Sequence, residues 1–120
     1  MPYPLEIRSS AFSYYPVLKR VKDYVDLNLN QDISLGRVAG IAGLEEKYFS
    51  AFFREKAGIG FRSWLTQLRV ERAEEMIRDH DRRITDVAFS VGFRDLRTFE
   101  RAFKRHTGMT PRSYKASVKP

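Results

Sequence analysis

Apolar positions recur at helical spacing almost from end to end of the chain, and no stretch alternates with the two-residue period of a strand. Over residues 15–29, Val17, Leu18, Val21, Tyr24, Val25 and Leu29 form a stripe, which predicts a first amphipathic helix. Ser34 reads as the N-cap of a short helix carrying Leu35, Val38, Ala39 and Ala42 and broken by Gly43. Residues 45–57 predict a further helix with Phe49, Phe52 and Phe53 inward, stopped by Gly58 and Gly60. Residues 61–79 read as one long helix, with Phe61, Trp64, Leu65, Leu68, Ala73, Met76 and Ile77 expected on a single face. Its length at 1.5 Å per residue is about 28 Å. Ile84, Val87, Ala88 and Val91 mark another short helix, broken by Gly92, and residues 95–107 a longer one, stopped by Gly108. Thr110 and Pro111 are suited to start a last short helix as N-cap and first-turn proline. The fold class expected is all-α, with seven helices.

Two of these segments are copies. Leu35, Val38, Ala39, Ala42 and Gly43 recur as Ile84, Val87, Ala88, Val91 and Gly92, offset by 49 residues. Phe49, Phe53, Arg54 and Gly58 recur as Phe99, Phe103, Lys104 and Gly108, offset by 50, so the one-residue difference falls in the turn. Each copy is a short helix, a glycine-containing turn and a longer second helix, the signature of a helix-turn-helix. An ordinary helical hairpin would explain one copy, but two joined by a long helix are harder to ascribe to coincidence. Two helix-turn-helix units reading one face of B-DNA sit about 34 to 36 Å apart, which a rod of about 28 Å plus its turns can approach. The expected target is a pair of unequal, non-palindromic half-sites. The organisation expected is an N-terminal extension (1–14), a first helix-turn-helix subdomain (15–60), a linker helix (61–79) and a second subdomain (80–120).

Composition narrows the function classes. The 120 residues include no cysteine, which removes disulfide scaffolds, thiol nucleophiles and thiolate metal sites. Apolar runs are two or three residues long and residues 1–13 contain Glu6 and Arg8, so neither a membrane span nor a signal-peptide core is expected. The net charge of +7 is unevenly placed: residues 1–93 contribute +1 and residues 94–120, from Arg94 to Lys119, contribute +6. A charged end of this kind is often a disordered arm. Here Leu96, Phe99, Ala102, Phe103 and His106 are threaded through it at helical spacing, opposite Arg94, Arg97, Arg101, Lys104 and Arg105, so a packed helix with a cationic outer face is expected.

The stretch Val91-Gly92-Phe93-Arg94-Asp95, followed by Phe99, Arg101, Phe103, Lys104 and Gly108-Met109-Thr110-Pro111, resembles the C-terminal signature of the AraC/XylS (arabinose-regulator) transcription factors. Val38-Ala39, Gly43, Tyr48-Phe49-Ser50, Phe53 and Gly58, then Phe61, Trp64-Leu65, Arg69 and Ala73, resemble the first helix-turn-helix and linker helix of that family. Together they cover about residues 16–116. The resemblance implies a two-subdomain unit that binds double-stranded DNA and regulates transcription, often by activation through RNA polymerase.

It also implies base-facing residues in the first half of each second helix. In the second unit these positions hold Leu96, Arg97, Thr98, Glu100 and Arg101. Arg97 and Arg101 suit bidentate contact with guanine O6 and N7, each worth about 1 to 3 kcal/mol of discrimination, and Thr98 can offer its methyl or its hydroxyl. Arg94, Lys104 and Arg105 are expected on phosphates, where they position the protein without reading sequence. In the first unit the outward positions hold Lys47, Ser50, Ala51 and Arg54, with Lys47 and Arg54 as the main anchors, Arg54 on phosphate, and Ala51 facing a thymine methyl. Glu45 and Glu46 at the start of that helix depart from the family pattern; they suit the helix dipole but would repel phosphate. The first unit is therefore expected to read fewer bases than the second.

Phe49, Phe52, Phe53, Phe99 and Phe103 are expected to pack cores rather than stack on bases, and Trp64 to pack the linker helix. His106 falls on an apolar side, and His80 lies 26 residues away with no ligand spacing, so no metal site is expected. No phosphate loop, nucleophile elbow or paired-carboxylate motif appears, and neither an enzyme nor a cofactor is expected. Two rivals to a monomeric, cytoplasmic, nucleoid-associated bacterial regulator are a co-regulator docking on RNA polymerase or another regulator with weak DNA binding, and a cationic membrane-surface protein. The latter is disfavoured by aromatics patterned for an interior. Residues 1–14 are too short for a sensor, so the expectation is either a free-standing regulator or a portion of a longer one.

Overall fold

The computed structural model describes residues 7–79 and 81–118, and these contain eight helices: α1 (Ala11–Tyr14), α2 (Pro16–Leu27), α3 (Leu35–Ala42), α4 (Glu46–Ala57), α5 (Phe61–Asp79), α6 (Ile84–Ser90), α7 (Leu96–Thr107) and α8 (Pro111–Val118). Expected His80 and Lys119 lie outside the described residues. The fold is all-α, as expected, with one helix more than the periodicity predicted. The described residues form two compact units that divide within α5, between Leu65 and Thr66.

Helix starts follow capping chemistry. Ser34 Oγ accepts the Arg37 N–H at 3.1 Å to begin α3, Glu45 Oε1 accepts the Tyr48 N–H at 3.0 Å to begin α4, and Asp95 Oδ1 accepts the Thr98 N–H at 2.8 Å to begin α7. Thr110 Oγ1 accepts the Ser113 N–H at 3.1 Å ahead of α8, whose first residue is Pro111. Within the two turns Gly43 stands at φ 73° and Gly92 at φ 107°. A side chain there would meet its own backbone, which is why each turn keeps a glycine.

In the first unit, Leu18, Val21 and Val25 of α2 and Val38, Ala39 and Ala42 of α3 are buried with Phe49, Phe53 and Ala57 of α4. Phe61 meets Phe53 edge-on at 5.5 Å between ring centroids, and Trp64 meets Phe53 at 5.1 Å. The described part of the segment expected as an extension, residues 7–14, contributes to this core. Phe12 of α1 stacks on Trp64 at 5.1 Å and meets Phe53 edge-on at 5.8 Å, and the Arg8 N–H donates to the Ala57 carbonyl at 2.9 Å. A single turn of four residues is too short to show a 3.6-residue period, so the sequence pattern could not reveal α1.

The second unit buries Val70, Ala73 and Ile77 of α5, Val87 and Ala88 of α6, then Val91 and Phe93, and Phe99, Ala102 and Phe103 of α7. Tyr114 of α8 meets Phe103 edge-on at 5.5 Å and accepts from Arg78 Nη1 at 3.0 Å through its hydroxyl. Lys115 Nζ donates to the Arg82 carbonyl at 2.7 Å, so α8 is also tied to the α5–α6 connection.

Two expectations need correction. α5 does not bury one continuous stripe: Phe61, Trp64 and Leu65 are buried in its first part and Gln67, Val70, Ala73 and Ile77 in the rest, while Leu68 and Met76 are only half-buried. At 100° per residue these sets do not share a face, because each part of the helix serves a different core. Phe52 is likewise half-buried rather than inward, with its ring 5.7 Å from Tyr15 and 6.5 Å from the exposed Tyr48.

Replacing Phe12 removes a ring stacked inside the first core. Phe12→Ala is expected to destabilise the protein by about 3 kcal/mol, read as a lowered urea midpoint; an unchanged midpoint would show that α1 is not part of the folded unit.

Candidate nucleic-acid interface

α7 is fixed by what it buries. Phe99, Ala102 and Phe103 face the core, Phe99 edge-on to Phe93 at 5.2 Å, and this leaves Arg97, Thr98, Glu100, Arg101, Lys104 and Arg105 exposed. Arg94, in the turn before the helix, is exposed as well. Arg101, Lys104 and Arg105 are brought together with Glu100 and Thr110 around an open groove of about 580 Å³. Three cations along one groove create a concentrated positive potential on the outer side of this helix. Leu96 is placed differently from its neighbours: it is half-buried and packs against the core cluster.

The start of α7 holds a detail that residue spacing alone did not reveal. Asp95 accepts twice from Thr98, from the backbone N–H at 2.8 Å and from the hydroxyl at 3.0 Å. The backbone bond, then the hydroxyl bond, with a further contribution from the positive charge of Arg101, holds the Asp95 carboxyl below the usual carboxylate range. The sequence signal was an aspartate three residues ahead of a threonine at a helix start. Near the other end, burial and then the adjacent Arg105 charge hold the His106 imidazole below its ordinary pKa, which fits a half-buried packing residue.

α4 presents a sparser face. Lys47, Ala51 and Arg54 are exposed and Ser50 is half-buried. Arg54 leans towards the end of its own helix, its Nη1 lying 3.3 Å from where a Cβ on Gly60 would stand. The acidic start has an intramolecular explanation. Glu45 caps the helix, and the Glu46 carboxylate folds back over α3, with Oε2 3.1 Å from where a Cβ on Gly36 would stand. Tyr48, 59 % exposed, stands beside Lys47 at the start of the helix, an exposed aromatic that the periodicity had not singled out.

Comparison with known proteins places this arrangement. A family described as a helix-turn-helix domain matches residues 38–117. An HTH-type transcriptional regulator of Staphylococcus aureus is 35% identical over 98 residues, covering 82% of this chain and 13% of the relative. The regulatory protein PocR of Salmonella typhimurium is 31% identical over 101 residues, covering 84% of this chain and 33% of the relative. The chain thus spans about an eighth of the length of the first relative and a third of the second. Among solved structures, an AraC-type transcriptional regulator from Chromobacterium violaceum has the same fold, with a TM-score of 0.82 at 20% identity, covering 88% of this chain and 95% of that one. The DNA-binding domain of AdpA, a global transcriptional factor solved in complex with a target DNA, aligns with a TM-score of 0.80 at 25% identity, covering 85% of this chain and 91% of that one. The family and the fold are those of transcriptional regulators rather than enzymes. Among the described residues no helix is long and apolar enough to cross a membrane.

Asp95→Ala is expected to lower the melting temperature by removing both acceptors at the start of α7. Because the folded carboxyl titrates below its unfolded value, its stabilisation is present above the ordinary carboxylate range and is lost as pH falls through the lowered value. The variant should therefore match the parent at acid pH and fall below it near neutrality; equal melting at both would contradict the cap.

Proposed function

We propose that this chain, which belongs to the AraC/XylS (arabinose-regulator) family of DNA-binding helix-turn-helix transcriptional regulators, reads two adjacent major-groove segments of double-stranded DNA as a monomer. The second unit supplies most of the affinity and base reading. The observation that carries this is the outer face of α7, where Arg97 and Arg101 are exposed on a helix whose other side is locked into an aromatic core. Arg97 and Arg101 read bases, with Thr98 between them, and Arg94, Lys104 and Arg105 hold phosphates. Leu96, half-buried, contributes at most an apolar edge. In the first unit Lys47, Ser50 and Ala51 face bases and Arg54 holds a phosphate.

The proposal extends to activation through contact with RNA polymerase in a bacterial cytoplasm, with the protein on the nucleoid. An acidic start to α4, which would repel phosphate, favours the co-regulator alternative. Capping by Glu45 gives that carboxylate a part in starting α4, which weakens the support.

Binding to duplex DNA measured at several salt concentrations tests the assignment. With about six phosphate contacts the log-log slope should be near −5; a flat dependence without sequence preference would favour the co-regulator. Arg97→Ala should weaken binding by about 1 to 3 kcal/mol and relax the preference at one position. Lys47→Ala should relax it less, and the reverse ranking would contradict the assigned division between units.

A further inference from the structure

Thr98 is exposed in the first turn of α7, between Arg97 and Arg101 in the face assigned above to base reading. Its hydroxyl is already engaged. Asp95 Oδ2 lies 3.0 Å from Thr98 Oγ1, and Asp95 Oδ1 takes the Thr98 N–H at 2.8 Å. An ionised carboxylate only accepts, and a hydroxyl has a single hydrogen to give. Thr98 therefore donates to Asp95 and has no second hydrogen for an outside partner.

That commitment restricts what Thr98 can recognise. Guanine O6 and N7, adenine N7, thymine O4 and the phosphate oxygens are all acceptors and all need a donor. The lone pairs of the hydroxyl remain, but an amino group of adenine or cytosine brought there would meet the neighbouring carboxylate, a stronger acceptor. The methyl group is then the part of the side chain left to make a selective contact. Among the four bases only thymine carries a methyl into the major groove.

We infer that Thr98 is a specificity-determining residue that selects thymine by apolar contact with its C5 methyl, its hydroxyl being taken up by Asp95. The inference rests on the DNA-reading assignment made above. It divides the work along α7: Arg97 and Arg101 supply charged donors to base edges, and Thr98 between them supplies an apolar contact.

Replacing thymine by uracil deletes the C5 methyl and leaves the pairing edge unchanged, so it isolates this contact. The full chain and a duplex selected for tight binding are used, and each dT is changed to dU in turn. One position in the block read by α7 should lose about fourfold in affinity, the size expected for one buried methyl, whatever a dU facing Ala51 does in the other block. Thr98→Ser keeps the hydroxyl and its bond to Asp95 but lacks the methyl; it should bind the dT duplex about as weakly as the parent binds the dU duplex, with no remaining dT-to-dU difference at that position. Thr98→Val keeps a methyl without the hydroxyl and should retain the difference. Thermal melting of both variants establishes that they fold. The inference is overturned if sequence preference is present but no single dU matters, if Thr98→Ser keeps the difference, or if Thr98→Val, still folded and binding, erases it. Absence of any sequence preference would instead overturn the DNA-reading assignment, and this contact with it.

Discussion

Each of the two longer helices of the repeat is held by a pair of phenylalanines one turn apart, and what the helices expose follows from that anchorage. Phe49 and Phe53 in α4, and Phe99 and Phe103 in α7, are completely buried. A ring pair at this spacing fixes the rotation of a helix about its axis, because turning it would pull both rings out of close-packed cores. The remaining positions have no choice of direction. Arg97, Thr98 and Arg101 are exposed because Phe99, Ala102 and Phe103 cannot be. The aromatics of this chain therefore fix which neighbouring side chains face outward.

The same scaffold is used unequally. The repeat preserves the anchors, the helix-ending glycines and an acidic N-cap in both units, since Glu45 and Asp95 play equivalent parts. On the outer face it preserves the cations Lys47 and Arg54 as Arg97 and Lys104, but puts Arg101 where the first copy has Ala51. α7 gathers Arg101, Lys104 and Arg105 at one groove, whereas α4 offers Lys47 and Arg54 separated by two turns, with Ala51 between them. The capping carboxylates are engaged within their own helices. At α4 the bond is to the Tyr48 N–H, and at α7 Asp95 takes both the N–H and the hydroxyl of Thr98. An overall charge of +7 says nothing of this; its location, and the bonds made around it, do.

Much of the fold could be read from residue order because helical periodicity and capping act locally. Ser34, Gly43, Gly92, Gly108 and Thr110 with Pro111 each mark a boundary by chemistry contained within a few residues, and the two-copy pattern reinforced them. What escaped depends on contacts distant in sequence. Phe12 is one ring in a one-turn helix, and its partner Trp64 lies 52 positions away. A single helical period cannot describe α5, whose two parts are buried in different cores. Leu96 packs partly against the core beside it, a contact that its place at the start of α7 does not reveal. The cationic set on α7 was legible as an arc, but the bond between Asp95 and Thr98 was not, because it depends on the rotamers that both side chains adopt.

The central claim is that one chain carries two unequal readers, the second dominant. Selecting bound duplexes from a random pool with the full chain measures this directly. The account predicts an enriched, non-palindromic site in two blocks, with the stronger base preference in the block protected by α7, including a guanine for each reading arginine and a thymine between or beside them. A palindromic site, two blocks of equal strength, or preference confined to the block protected by α4 would contradict it.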